Sequence, residues 1–214
     1  MPIPLLFDFD YTLADSSAAI VECMNHALRG LGLPEREPAV IQRGIGLSMP
    51  KTLAYLAGEE HLPRLPEFMA HFVQRADEIM TPWTEMLPGV AAVLAELQAA
   101  GYPLAIVSTK RRSQIEAILR RHELVGRFDF IIGHEDVAEH KPHPASLQLA
   151  LARLGVDTAV YIGDSLSDAE AAERAGLPFV AVQTGVTPLS EFTQFPLAAV
   201  LPHVGELPAW LAGR

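Results

Sequence analysis

Two aspartates and a threonine follow a short apolar run in the segment Leu5–Leu13. Asp8 and Asp10 are separated by one residue, and alternate residues of an extended segment point to the same side. Adjacent carboxylates repel each other unless a cation lies between them or one of them holds a proton. Hard divalent cations prefer carboxylate oxygens, and an ionised carboxylate can act as a nucleophile. The spacing therefore predicts a site for a divalent cation such as Mg²⁺ with one reactive aspartate; the alternative is a strand end closed by an Asx turn.

Further polar clusters follow other apolar, strand-like runs of the chain. Ser108 comes directly after one such run, and Lys141 lies in a loop beyond the next. Asp164 and Asp168 follow a third run. Ligands of open α/β sheets bind outside the carboxyl ends of the parallel strands. A carboxylate nucleophile, a phosphate-orienting hydroxyl, a neutralising lysine and metal-binding carboxylates together predict a phosphoryl-transfer site.

The composition restricts the possible partners. Half of the 214 residues are hydrophobic, enough for a sizeable core, and the formal net charge is −10 with a pI of about 5.2. Nucleic-acid-binding proteins are more often basic, so we expect no nucleic acid as partner. An acidic protein that handles phosphates must place its few cations locally. The candidates by position are Lys110, Arg111, Arg112 and Lys141.

The single cysteine, Cys23, excludes an intramolecular disulfide. The first residues include no basic segment, and Asp8 interrupts their apolar stretch, so no signal peptide is expected. No run approaches the roughly 20 apolar residues that a membrane span requires. We therefore expect a cytoplasmic protein without a membrane partner, either a monomer or a homodimer.

The order of hydrophobic patterns predicts two domains. Residues 15–81 show only helical periodicity, with apolar residues recurring every three or four positions. From Pro88 onward, strand-like and helical segments alternate, which indicates a parallel sheet with helices on both faces. We predict an α/β, Rossmann-like three-layer core formed by residues 1–14 and 82–214. A small all-helical domain, residues 15–81, is inserted after the first strand.

The motifs together resemble the haloacid dehalogenase superfamily in its phosphatase branch, over nearly the whole chain. The superfamily's first motif, Asp-x-Asp-x-Thr, matches Asp8, Asp10 and Thr12, and its second motif matches Ser108. The third motif matches Lys141-Pro142. The fourth matches Gly163, Asp164, Ser165 and Asp168. The helical insertion resembles the cap of the phosphoglycolate phosphatase and β-phosphoglucomutase subgroup, in which position 11 is commonly glycine rather than Tyr11.

The resemblance implies roles for these residues. Asp8 attacks phosphorus and forms an aspartyl-phosphate, while Asp10 acts as general acid and then as general base. Mg²⁺ is held by the carboxylates of Asp8 and Asp164 and by the backbone carbonyl of Asp10. Further side chains support these groups. Ser108 and Lys141 hold the phosphoryl oxygens, whereas Thr12 and Asp168 lie behind them, Asp168 orienting Lys141 or a metal-bound water.

Other reactions on the same fold are alternatives. A dehalogenase or a phosphonate-cleaving relative would lack Asp10, and the latter would need a cap lysine, for which Lys51 is the only candidate. A sugar-phosphate mutase stays open, although its cap usually carries Gly-x-Ser-Arg, where this chain has Gly44–Leu47. A non-catalytic phosphate-binding regulatory protein also stays open, although all the reactive groups are present.

The predicted substrate is a small phosphorylated metabolite, with phosphoglycolate, pyrophosphate and sugar phosphates as candidates. Arg43 and Lys51 are cations in or near a glycine-containing loop of the cap. We expect them to recognise a second anionic group of the substrate. The alternative is that both are solvated surface charges.

Overall fold

The computed structural model describes residues 2–213. The chain divides into two units. The α/β unit consists of two segments, one that ends at Ala14 and one that begins at Met86, and the helical unit is Asp15–Glu85. The predicted second boundary, between residues 81 and 82, lies inside a helix that runs from Leu65 to Trp83. Pro82 lies in the last turn of this helix, which continues through it for one more residue.

The α/β unit is built on a parallel sheet of six strands in the order β5-β4-β1-β6-β7-β8. The strands are β1 (Leu5–Phe7), β4 (Leu104–Val107), β5 (Phe130–Ile132), β6 (Val160–Gly163), β7 (Phe179–Val182) and β8 (Leu197–Leu201). Two further short strands, β2 (Ala14–Asp15) and β3 (Glu85–Met86), pair with each other. They lie where the chain leaves the α/β unit and where it returns to it. The predicted parallel sheet and the α/β class are confirmed.

Side-chain alternation along the strands creates an apolar core on each face of the sheet. Leu5 and Phe7 of β1 belong to one core, which includes residues of the helices α5 (Val90–Ala99), α6 (Arg112–Arg121) and α9 (Leu207–Ala212). Leu6 belongs to the other core, with residues of α7 (Ala145–Leu154) and α8 (Leu166–Ala175). Both faces of a parallel sheet are therefore covered, which explains why its strands are uniformly apolar.

The helical unit has its own apolar core. Its helices are α1 (Ser17–Gly30), α2 (Pro38–Gln42), α3 (Met49–Ala57) and α4 (Leu65–Trp83), with a 3₁₀ segment at Glu59–Arg64. Residues of α1 and α4 dominate this core, among them Cys23, Leu28 and Phe68, each fully buried. The single cysteine is thus a packed apolar residue.

The sheet order explains how residues distant in sequence meet. Strand β1 lies between β4 and β6, with Phe7 paired to Ile106 and to Ile162. Because all three strands are parallel, the residues that follow them emerge at the same edge of the sheet. Asp8, Ser108 and Asp164 are such residues.

Candidate active site

Asp8 is the first residue after β1, and its backbone N–H donates to the carbonyl of Ile162 at 2.9 Å. This bond continues the pairing with β6 and fixes the direction of the side chain, which is buried. The carboxylate atom Oδ1 lies 2.9 Å from Nζ of Lys141. The approach does not make a hydrogen bond, so no group among residues 2–213 donates one to this buried oxygen. Asp8 therefore presents a buried oxygen that is ion-paired with Lys141 and can still accept a further ligand.

Three buried carboxylates converge at this point. Oxygen atoms of Asp8, Asp164 and Asp168 all lie within 4.8 Å of one another. Lys141 contacts two of these carboxylates, at 2.9 Å for Asp8 and 2.5 Å for Asp168. One ammonium group cannot balance three buried carboxylates, and an all-oxygen donor set suits a hard divalent cation. The residues therefore fit a divalent metal.

The two oxygens of Asp168 are already occupied by protein donors. Its Oδ1 accepts from Lys141 at 2.5 Å and lies 2.8 Å from the hydroxyl of Tyr161. Its Oδ2 accepts from the hydroxyl and the backbone N–H of Ser165, at 2.5 and 3.1 Å, in the capping box that begins α8. Asp168 is thus placed to orient Lys141, which leaves Asp8 and Asp164 as the carboxylates with oxygens to offer to a metal.

The shifted pKa values in this cluster have identifiable causes. Burial raises the pKa of Asp8 to about 6; Lys141 opposes this effect, and the charge of Asp168 adds to it. Burial, followed by the charges of Asp168 and Asp8, raises the pKa of Asp164 well above its ordinary value. Burial alone would lower the pKa of Lys141, but Asp168 and Asp8 outweigh it and the pKa is raised. The raised pKa values of Asp8 and Asp164 show that the cluster without a metal has too little positive charge to keep both carboxylates ionised.

The surroundings of Asp164 fix where its carboxylate lies. Oδ1 accepts a hydrogen bond from the hydroxyl of Thr12 at 3.2 Å, and Thr12 is fully buried. On the other side, a Cβ atom built on Gly185 would lie 1.9 Å from Oδ2. Only glycine leaves the carboxylate enough room in this position.

Tyr11 adopts a backbone conformation that few L-residues adopt, with φ of 60°. This explains why glycine is common at the position in the subgroup that the sequence resembles. The conformation is held by neighbours: the N–H of Tyr11 donates to the carbonyl of Ala14 at 2.7 Å, and its own carbonyl accepts from the hydroxyl of Thr184. Its side chain is nearly buried.

The second aspartate of the first motif has a separate cationic partner. Nζ of Lys110 lies 3.0 and 3.2 Å from the two carboxylate oxygens of Asp10. Ser108 is buried just after β4, and its hydroxyl accepts from the backbone N–H of Lys110 at 3.3 Å. Asp10 and Ser108 are therefore tied to the same lysine, one by its side chain and one by its backbone.

The sequence pattern missed several residues of this region. Lys110 was expected only as one of four cations near a phosphate, and its contact with Asp10 has no signature in the sequence. Tyr161 lies in an apolar strand run that predicts a core aromatic, yet its hydroxyl accepts from Lys141 at 2.9 Å. Thr184 and Gly185 follow β7 and carry no motif. The one available signal was their position, because residues after β7 emerge at the same edge of the sheet as the others.

Arg43 and Lys51, the predicted substrate-binding cations, both belong to the helical unit. Arg43 follows α2 directly, and Lys51 lies in the first turn of α3. Both are exposed, and neither forms an ion pair with a carboxylate in the described part of the chain. No helix among residues 2–213 has the length and apolar character needed to cross a membrane.

Comparison with known proteins identifies the family of this chain. A model of the haloacid dehalogenase-like hydrolase family matches residues 5–182. The phosphoglycolate phosphatase of Yersinia pseudotuberculosis is 32% identical over 188 residues, which cover 84% of this chain and 80% of that protein. The phosphoglycolate phosphatase of Rhodobacter capsulatus is 33% identical over 207 residues, covering 94% and 90%.

Among solved structures, a protein from Bacteroides fragilis assigned to the haloacid dehalogenase-like hydrolases superimposes with a TM-score of 0.93. It is 37% identical, and the match covers 97% of this chain and all of that one. The chain therefore belongs to the haloacid dehalogenase-like hydrolase family.

Proposed function

We propose that this protein is a Mg²⁺-dependent phosphatase that hydrolyses a small phosphorylated metabolite through an aspartyl-phosphate. The observation that carries the proposal is the cluster of Asp8, Asp164 and Asp168 around Lys141. A phosphoryl group brings several anionic oxygens, so its site needs fixed positive charge next to the nucleophile. Lys141 supplies part of that positive charge. One lysine does not balance three buried carboxylates, which supports a bound metal ion as the source of the remaining charge.

Asp8 is the nucleophile in this proposal. One of its oxygens forms a bond to phosphorus while the bond from phosphorus to the leaving oxygen breaks, and protonated Asp10 gives its proton to that oxygen. In the second step, water attacks phosphorus and Asp10 takes its proton. Inorganic phosphate leaves, and the carboxylate of Asp8 is restored.

The remaining groups bind and orient. Mg²⁺ would be held by the carboxylates of Asp8 and Asp164 and the backbone carbonyl of Asp10, and when bound it supplies positive charge to the phosphoryl oxygens. Lys141 is held by Asp168 at 2.5 Å, so its ammonium group stays beside Asp8 without needing to be ordered by substrate. Ser108 offers a hydroxyl from the end of β4 to a phosphoryl oxygen.

The relatives and the cations of the helical unit support a substrate class. The proteins compared above include two phosphoglycolate phosphatases. Arg43 and Lys51 are exposed cations without a carboxylate partner in the described chain, which supports recognition of a second anionic group such as a carboxylate. We therefore expect phosphoglycolate or a metabolite like it, used in the cytoplasm by a monomer or homodimer.

The test is release of inorganic phosphate from a panel of phosphoglycolate, pyrophosphate, sugar phosphates and p-nitrophenyl phosphate, with and without Mg²⁺. Asp8→Asn is the matched control, because it keeps the size of the side chain and removes the attacking charge. We expect magnesium-dependent release from at least one metabolite. Isomerisation of a sugar phosphate without net phosphate release would instead indicate a mutase. Binding without turnover would indicate a regulatory protein.

A further inference from the structure

Lys110 and Asp10 form a nearly buried ion pair at the sheet edge. Nζ lies 3.0 and 3.2 Å from the two oxygens, so the ammonium bridges the carboxylate. The side chains are 4% and 16% exposed, respectively. Such a pair is well shielded from water, and loss of one partner would leave the other charge poorly solvated.

The position of Lys110 is fixed by its backbone and its stem. Its N–H donates to the hydroxyl of Ser108 at 3.3 Å, and its carbonyl accepts from the N–H of His134 at 3.0 Å. Its ammonium lies 5.9 Å from the centroid of the Phe9 ring. The charge therefore reaches Asp10 from a segment held at both ends, which makes Lys110 a rigid support.

The two buried lysines of the site serve different carboxylates. Lys141 contacts Asp8 and Asp168, whereas Lys110 contacts Asp10. A proton donor must be aimed at the leaving oxygen, and an error of about 1 Å in its position can cost roughly 10²-fold in rate. Contact with both oxygens restrains rotation of the ionised Asp10 side chain more than a single contact would. When Asp10 holds the proton that it donates, one oxygen carries the proton and the other can still accept from Lys110.

We propose that Lys110 is a positioning residue that aims the carboxylate of Asp10 at the leaving group, with no part in binding the phosphoryl group itself. This inference rests on the proposed function, since it gives Lys110 a role through the proposed acid–base residue. Lys110 then affects how a poor leaving group is protonated. It matters little for a leaving group that departs without a proton.

The test is a double-mutant cycle with Lys110→Met and Asp10→Asn, measured as kcat/KM. Met keeps the apolar stem beside Phe9 and removes the charge. The two substrates are phosphoglycolate, which has a poor leaving group, and p-nitrophenyl phosphate, which has a good one. If phosphoglycolate is not a substrate, an alkyl phosphate that is active in the panel takes its place. Arg120→Met, at an exposed cation of α6, is the control for net charge.

We expect Lys110→Met to lower kcat/KM for the alkyl phosphate by roughly 10- to 100-fold, within the range of general acid catalysis, and to affect p-nitrophenyl phosphate much less. In the Asp10→Asn background the same change should cost less than about threefold, because residues that act as a unit are not additive. Lys110→Arg should restore part of the activity.

Equal losses for both substrates, or the same loss in both backgrounds, would overturn the proposal. If Lys110→Met does not fold, the cycle is made with Lys110→Arg, which moves the charge and keeps it. A loss confined to the native background then supports positioning, and an equal loss in both backgrounds refutes it. Absence of any phosphatase activity in the native protein would be a failure of the proposed function instead.

Discussion

Gly185 lies directly against the carboxylate of Asp164, so close that a Cβ atom at residue 185 would be 1.9 Å from Oδ2. Its neighbour Thr184 donates a hydrogen bond to the carbonyl of Tyr11, in the loop that follows Asp8. The segment after β7 thus contacts both the proposed metal ligand Asp164 and the loop after Asp8, although no sequence motif marks it.

Gly185→Ala should weaken Mg²⁺ binding. The added methyl group must displace the Asp164 carboxylate, and disturbing the support of a metal ligand typically costs about 10- to 100-fold in affinity. Isothermal titration calorimetry with Mg²⁺ measures the effect independently of turnover. Gly213→Ala is the control, because its Cβ would meet nothing nearer than 3.7 Å. An unchanged affinity in Gly185→Ala would show that Asp164 does not hold the metal in this position.

Asp8→Asn should abolish turnover while preserving the fold. The substitution keeps the shape of a buried side chain and removes the charge that attacks phosphorus. Phosphate release is measured with p-nitrophenyl phosphate, and circular dichroism checks the fold. Turnover clearly above background in well-folded Asp8→Asn would assign the nucleophile to another residue.

The metal-free protein should lose stability as the pH rises through about 6. Asp8 has a folded-state pKa of about 6 against an ordinary value of 3.8, so its contribution is fully present below the lower value and is lost above the higher one. The loss is of the order of 3 kcal/mol. In EDTA at about pH 7, Asp8→Asn should therefore have a higher Tm than the native protein, and the difference should shrink toward pH 4. A native Tm equal to or above that of Asp8→Asn at neutral pH would contradict the idea that ionised Asp8 destabilises the metal-free fold.

Removal of divalent cations should abolish turnover, and Mg²⁺ should restore it. EDTA treatment followed by graded addition of Mg²⁺ gives the activation curve, and Asp164→Asn should shift that curve to higher concentration. Calcium should activate poorly, because its larger and more flexible coordination shell misplaces the attacking oxygen. Full activity after exhaustive chelation would rule out the metal-dependent mechanism.

Arg43→Ala should discriminate between substrates. If Arg43 binds a second anionic group, its loss lowers kcat/KM for a substrate that carries one by about 1.5–3 kcal/mol, the scale of a hydrogen bond to a charged group. p-Nitrophenyl phosphate has no second anion and serves as the control within the same variant. Equal effects on both substrates, or no effect on either, would indicate that Arg43 is a solvated surface charge with no role in substrate recognition.

The arrangement of the strands was predictable because parallel, buried strands are apolar throughout and end at polar residues. Strands β1, β4 and β6 end directly before the polar residues Asp8, Ser108 and Asp164, as the pattern predicted. Helix α2 was missed, since five residues are too few to show a helical period. The 3₁₀ segment at Glu59–Arg64 was missed for a related reason, because it contains Pro63 and buries no residue.

The only site residues that the sequence could place together are motif residues that directly follow a strand. The cluster of Asp8 and Asp164 follows from that placement. The contacts of Lys110, Tyr161 and Gly185 depend on side-chain reach and on distances between neighbouring loops. A one-dimensional sequence does not encode such distances in any local pattern, so those residues became apparent only in three dimensions.

The central place of β1 also constrains the order in which the protein can be completed during synthesis. Leu5 pairs with Leu104 and Val160, so β1, which Asp8 follows, leaves the ribosome long before either of its neighbouring strands exists. The helical unit is continuous in sequence and can fold in that interval, whereas β1 must wait for the closure of two long loops, a slow event. The carboxylate cluster needs Asp168 as well, so a growing chain holds no competent site until the sixth strand and the start of α8 have emerged. Reactivity is thus withheld until the chain has been made as far as the start of α8.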